Sequence, residues 1–113
     1  MKLLLDEDLP TKLRYRLRPE HEAVSVRDMG WQGKKNGELL RMMEAYGFQA
    51  LLTGDKQMEH QQNWRSYTLP VLVLSASGDQ YQYDDYNALM PQIKALLARP
   101  TLAGGIHQIA PVP

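Results

Sequence analysis

The chain of 113 residues contains no cysteine. That absence removes disulfides, zinc–thiolate sites and cysteine nucleophiles at once, and leaves oxygen or imidazole as the only ligands for any metal. No apolar run approaches the roughly 18 residues that span a bilayer. The opening, Met1-Lys2-Leu3-Leu4-Leu5-Asp6, meets an acidic residue too early for a signal peptide. Together these point to a cytoplasmic protein with no membrane partner. Neither charge is in excess: 13 basic residues balance 13 acidic ones. Without a global field, nucleic acid would have to be gathered by a local patch. Internal repeats, low-complexity segments and interdomain linkers are also missing.

What is present suffices for one core. With 43% hydrophobic residues, residues 1–113 are expected to form a single domain. The run Lys2 to Leu5 stops at acid and is followed by Pro10, which suits the first turn of a helix. Strand one is therefore followed by a helix from about Pro10 to Leu17, with Leu13 and Leu17 on one face and Pro19 ending it. Glu22 to Val26 reads as strand two, and Met29 to Gly33 as a loop with two glycine turns. Asn36 is placed as the N-cap of a second helix carrying Leu39, Leu40 and Met43, with Gly47 as its stop. Gln49 to Thr53 is strand three, followed by a short polar helix or loop through Trp64, and Pro70 to Leu74 is strand four. After a loop from Ser75 to Asp84, the spacing of Tyr86, Leu89, Met90, Ile93, Leu96 and Leu97 predicts an amphipathic helix. Ile106 to Ala110 makes a weak fifth strand.

Strands alternating with helices predict an α/β fold, a three-layer α/β/α arrangement around a doubly wound, mainly parallel sheet. The expected strand order is 2-1-3-4 with strand five at an edge. In that order the carboxyl ends of strands one and three flank the topological switch point, where open α/β sheets bind ligands. Asp6 closes strand one and Asp55 follows strand three, so the two emerge from strands about 4.8 Å apart. Helix two begins at the same rim and brings Asn36 and Glu38. Oxygen donors of this kind suit a hard divalent cation such as magnesium. Asp6 and Asp55 with Glu38 or Asn36 are thus the candidate catalytic and metal-holding residues for phosphodiester hydrolysis. Lys34, Lys35 and Lys56, with Arg27 nearby, are candidate phosphate contacts, and Gln61, Gln62, Asn63 and Trp64 could contact sugars or bases.

Plainer roles compete for the same residues. Glu7 or Asp8 ahead of Pro10 is expected to cap the first helix, Asn36 to cap the second, and the lysines to be solvated charges. Trp31, Trp64, Tyr81, Tyr83 and Tyr86 read as packing or surface anchors. His21, His60 and His107 lack metal spacing and are given no chemistry.

Leu3-Leu4-Leu5-Asp6-Glu7-Asp8-Leu9-Pro10, Val24-Ser25-Val26-Arg27-Asp28-Met29-Gly30-Trp31, Leu51-Leu52-Thr53-Gly54-Asp55-Lys56 and Gln61-Gln62-Asn63 occur in that order. In this combination the chain resembles the short bacterial PIN-like proteins, compact relatives of the PIN-domain ribonucleases. The resemblance implies a PIN-like domain, a magnesium- or manganese-dependent endoribonuclease activity, and a role as the toxin of a toxin–antitoxin pair. RNA as substrate, a cognate antitoxin and a homodimer are the partners that go with it. It places acidic positions at Asp6, Asn36 and Asp55, and this chain departs from the pattern twice. Asn36 stands where Asp is usual, and Asp8 stands where the family usually has Asn. Full PIN domains bring a further glutamate from a helical segment that this chain lacks. Two other readings stand beside it. One is a catalytically impaired PIN-like module acting by protein or RNA binding. The other is a receiver-like phosphoacceptor domain, imitated by Asp6, Glu7, Asp55 and Ser75 but without a lysine at the last strand.

Overall fold

The computed structural model describes residues 1–60, 68–75 and 83–111, with residues 59 and 60 described by their backbone alone. Five strands, β1 (Lys2–Leu5), β2 (Glu22–Ser25), β3 (Ala50–Thr53), β4 (Pro70–Leu74) and β5 (Gly105–Ile109), form one sheet in the order β2-β1-β3-β4-β5. Every neighbouring pair is parallel. Register runs Leu3↔Ala23 and Leu3↔Ala50 at β1, and Pro70↔Gly105 to Leu74↔Ile109 at the β5 edge.

The near-continuous apolar strands follow from burial on both faces. Side chains alternate across a strand, so Leu3, Leu5, Leu52, Leu72 and Leu74 fill one core while Leu4, Leu51, Val71 and Val73 fill another. The first core is closed by Leu13 of a 3-10 turn (Thr11–Leu13), Leu17 of α1 (Arg14–Leu17), Tyr86 of α4 (Tyr83–Asn87), and Met90, Ile93 and Leu97 of α5 (Met90–Leu97). The second is closed by Val26 of α2 (Val26–Met29), Leu39, Leu40 and Met43 of α3 (Asn36–Ala45), and Met58 of a second 3-10 turn (Lys56–His60). Trp31 belongs to this second core, edge-on to Tyr46 and Phe48 at 5.2 and 5.8 Å between ring centres. Each fully buried leucine contributes roughly 1.5–3 kcal/mol. Helices therefore cover both faces. Among the described residues no helix is long and apolar enough to cross a membrane.

Several local expectations are corrected. Strand two stops at Ser25 rather than Val26 because Ser25 caps α2. Its hydroxyl accepts the Asp28 N–H at 3.0 Å while the Asp28 carboxylate accepts the Ser25 N–H at 3.1 Å. This capping box makes a helical turn of Val26–Met29, and Gly30 at φ 72° closes it in the left-handed conformation. The last amphipathic helix is two helices, interrupted at Ala88 and Leu89, with Pro91 in the first turn of α5. Proline lacks an N–H to donate backwards, so a helix restarts there rather than passing through. The fifth strand spans Gly105–Ile109 and pairs with β4 along its whole length.

Candidate functional site

The chain leaves β1 toward one face and β3 toward the other. Leu9, Leu13 and Leu17 after β1 enter the first core, and Met58 after β3 enters the second. Between these diverging ends lies a cleft of about 330 Å³ lined by Asp6, Glu7, Asp8, Lys34, Asn36 and Asp55. Asp6, Asn36, Asp55 and Lys34, singled out from the sequence, thus share one cleft.

Asp6 continues the sheet, its N–H donating to the Leu52 carbonyl at 2.9 Å. Its Oδ1 accepts the Glu7 N–H at 2.8 Å and its Oδ2 accepts the Thr53 hydroxyl at 2.8 Å. Thr53 is wholly buried, and its Oγ1 accepts the Asp55 N–H at 3.1 Å. One hydroxyl therefore joins the two aspartates across β1 and β3. Asp55 folds back on its own loop, Oδ1 accepting the Gln57 N–H at 2.9 Å. Burial raises the Asp6 pKa above the ordinary carboxyl value, against the lowering effect of the Thr53 and Glu7 hydrogen bonds and with added repulsion from Glu7 and Asp55.

Asp8 does not cap the first helix. The residue at that N-terminus is Pro10, with no side-chain cap bond, and the Asp8 Oδ1 instead accepts the Gly54 N–H at 3.1 Å, tying the β1 loop to the β3 loop. The residue as a whole is exposed, but its carboxyl group is turned against that loop. Desolvation there, more than the charges of Asp6 and Asp55, pushes its pKa up to about 6 despite the Gly54 hydrogen bond. Gly54 itself is fixed by close approach: a Cβ there would lie 2.7 Å from the Tyr86 hydroxyl and 3.4 Å from Asp8 Oδ2.

Asn36 is the first residue of α3 rather than its cap. Lys35 occupies the cap position with an extended backbone and no side-chain bond, which leaves the Asn36 amide on the cleft wall. Glu38 is exposed and pairs with Lys34 at 3.4 Å, one turn of spacing away. It meets the cleft through Lys34 and is not among the residues that line it. Lys35 and Lys56 are exposed and lie outside the lining. Gln61, Gln62, Asn63, Trp64 and Tyr81 lie outside the described residues. Tyr86 and Trp31 are buried in the two cores.

A second, smaller cleft of about 200 Å³ adjoins the first across Asp6 and Glu7 and is lined further by Leu9, Pro10, Thr11, Ser25 and Arg27. A larger hollow of about 390 Å³ lies between α5 and β5, with Gln92, Leu96, Arg99 and Gln108 among its walls and no carboxylate among the described residues that line it.

The donors around the first cleft are carboxylate and amide oxygens, the chemistry of a hard cation, and their crowding makes a positive charge welcome there. Among the described residues no three histidine, aspartate or glutamate side chains converge closely enough to hold a metal ion. The aspartates are bonded to Thr53 and to backbone N–H groups instead. The donor types suit a divalent cation, while the present positions of the aspartates are set by these hydrogen bonds. Compared with protein-family models, curated proteins and solved structures, the chain matches none.

Sequence reasoning missed Thr53, Gly54 and the tethering role of Asp8. Only the Thr-Gly-Asp run at the end of an apolar strand hinted at the first two.

Proposed function

We propose that this chain is a PIN-like, divalent-metal-dependent endoribonuclease whose site is the cleft between the ends of β1 and β3. The observation that carries the reading is the pairing of Asp6 and Asp55 through Thr53 at the point where the chain diverges to opposite faces of the sheet, the place where open α/β sheets bind ligands. Magnesium or manganese, held by Asp6 and Asp55 with the Asn36 carbonyl, would supply Lewis acidity for phosphodiester hydrolysis. The protein's own part is to hold two carboxylates in fixed positions and to present Lys34 at the cleft edge to a phosphate. Thr53 and Asp8 keep the two loops in register, so the carboxylates need little reorganisation when substrate arrives. The resemblance extends the reading to a toxin restrained by a cognate antitoxin.

Purified protein incubated with mixed RNAs in magnesium or manganese tests this. Cleavage is expected, stronger in manganese, with a loss of about 100-fold or more in Asp6→Ala and in Asp55→Ala, the scale of removing one electrostatic stabiliser. Cleavage that survives both substitutions, or never appears in either metal, overturns it. The neutral Asn36 on the cleft wall favours a second reading, a PIN-like module that binds RNA or protein without cutting. That reading predicts RNA retention by a wild type that leaves the RNA intact.

A further inference from the structure

The Asp6–Glu7 segment is a wall with a cleft on each side, and the smaller cleft has no role in the chemistry above. Its outer side carries Arg27, which is exposed, while Arg14 and Lys94 elsewhere are paired with Asp28 and Glu20. Among the described residues neither Arg27 nor Glu7 has an ion-pair partner, although both line this one cleft. Two opposite charges thus face a shared space without closing on each other. A guest that satisfies both must offer an anion to the guanidinium and a hydrogen-bond donor to the carboxylate, because an ionised carboxylate only accepts. A sugar–phosphate unit with a free hydroxyl does so. Size agrees: about 200 Å³ is below the roughly 300–1,000 Å³ that encloses a drug-sized ligand. That is the scale of a sugar–phosphate unit rather than of a whole nucleotide. Leu9 and Pro10 supply an apolar side for the sugar ring.

We propose that this second cleft is a ribose–phosphate subsite in which Arg27 holds the phosphate adjoining the scissile one and Glu7 accepts the hydrogen bond of the 2′-hydroxyl. It rests on the ribonuclease reading and adds to it a means of choosing RNA over DNA. The 2′-hydroxyl is the group that separates the two polymers, and a hydrogen bond from it to a carboxylate favours the polymer that carries it. A strand crossing the wall would meet Lys34 on one side and Arg27 on the other.

The test is fluorescence anisotropy with a labelled single-stranded octamer of mixed sequence, made as RNA, DNA and 2′-O-methyl RNA. Binding is measured in calcium with intact RNA verified on a gel, and cleavage is assayed separately in manganese. Wild type is expected to bind RNA about tenfold more tightly than DNA, the equivalent of about 1.4 kcal/mol, and to treat 2′-O-methyl RNA like DNA. Glu7→Ala should bring the RNA-to-DNA ratio to about one. Arg27→Ala should weaken all three ligands alike and flatten the salt dependence by about 0.7 in log–log slope, one phosphate contact to a single strand. Lys34→Ala should weaken all three and keep the RNA preference. Both subsite residues are exposed, so neither change threatens the fold. If Glu7→Ala and Arg27→Ala bind like wild type while RNA is still cut, the subsite is wrong and the nuclease reading stands. If the preference and its loss appear as expected but no RNA is cut, the subsite stands and catalysis falls. A wild type that binds none of the octamers overturns the subsite, and one that also cuts no RNA overturns both.

Discussion

At the β1–β3 pair the strands run out into Asp6, Thr53 and Asp55; at the β4–β5 pair, equally parallel, they run out into Ser75 and Ala110. The second pair even has the larger hollow beside it, about 390 Å³ against 330 Å³. Yet among the described residues the larger space has no carboxylate on its walls, and Ser75 joins the sheet through its backbone N–H, which donates to the Ile109 carbonyl at 2.7 Å. At β1–β3 the Asp6 and Asp8 carboxylates each bond a group on the far side of the strand pair, the Thr53 hydroxyl and the Gly54 N–H. Among the described residues the same backbone pattern thus supports a connected polar network at one place and a plain backbone hydrogen bond at another. The difference lies in where the chain diverges. After β1 and β3 it departs to opposite faces, leaving strand-end groups uncovered, so polar residues can be used there.

Changes at the network should therefore cost more than matched changes at β4–β5. The largest structural effect is expected from Gly54→Ala, whose added methyl would lie 2.7 Å from the buried Tyr86 hydroxyl. Overpacking of this kind costs about 1–3 kcal/mol. Urea denaturation should show it, and Tyr86→Phe in the same chain should recover part of the loss by removing the obstructing oxygen. Strict additivity of the two changes would refute the steric account.

Thr53→Val comes next. It keeps the shape of the side chain and deletes the hydroxyl that serves Asp6 and Asp55. Stripping a partner from part-buried polar groups costs about 1–3 kcal/mol, and Thr53→Ser should restore most of it. Ser75→Ala at the β4 end is the control, expected within about 0.5 kcal/mol of wild type. Equal losses at the two positions would erase the distinction between the two strand ends.

The smallest effect concerns pH. The Asp8 carboxyl has a folded-state pKa raised from 3.8 to about 6, so the folded protein holds that proton more tightly than the unfolded chain. Ionising Asp8 therefore opposes folding. The penalty is absent below the unfolded value, grows as pH rises from 3.8 toward 6, and is complete above that. Asp8→Asn removes the charge and keeps an oxygen for the Gly54 N–H. In EDTA at pH 7.5 it should gain on the order of 1 kcal/mol, solvent screening having trimmed the effect, or roughly 4 °C in Tm. At pH 4 the gain should vanish, and a gain of the same size at both pH values would show that charge is not its origin.

The α/β class and the parallel sheet were legible because four apolar runs alternate with helical spacing, a pattern that local sequence carries well. The positions of Asp6 and Asp55 at strand ends were legible for the same reason. The network between them was not. Asp8 meets Gly54 and Thr53 meets Asp6 across separations of 46 and 47 residues, which no local spacing encodes. The turn α2 was readable in principle, since Ser25 and Asp28 stand at capping-box spacing, but the β-branched Val24 and Val26 drew the strand one residue too far. Asn36 looked like a cap because caps favour its side chain. Lys35 takes the position instead, since the chain is already extended there, and no residue preference announces it.

The Thr53 hydroxyl has a single hydrogen, and that hydrogen is given to Asp6 while its lone pair receives the Asp55 N–H. That direction holds while Asp6 is ionised, since a carboxylate only accepts. A proton arriving on the Asp6 oxygen that faces Thr53 would reverse that bond, the hydroxyl accepting with its second lone pair and turning its own hydrogen elsewhere. A displacement of the Asp55 loop would in turn draw on the same hydroxyl. The charge after β1 and the position of the loop after β3 thus meet at one oxygen atom.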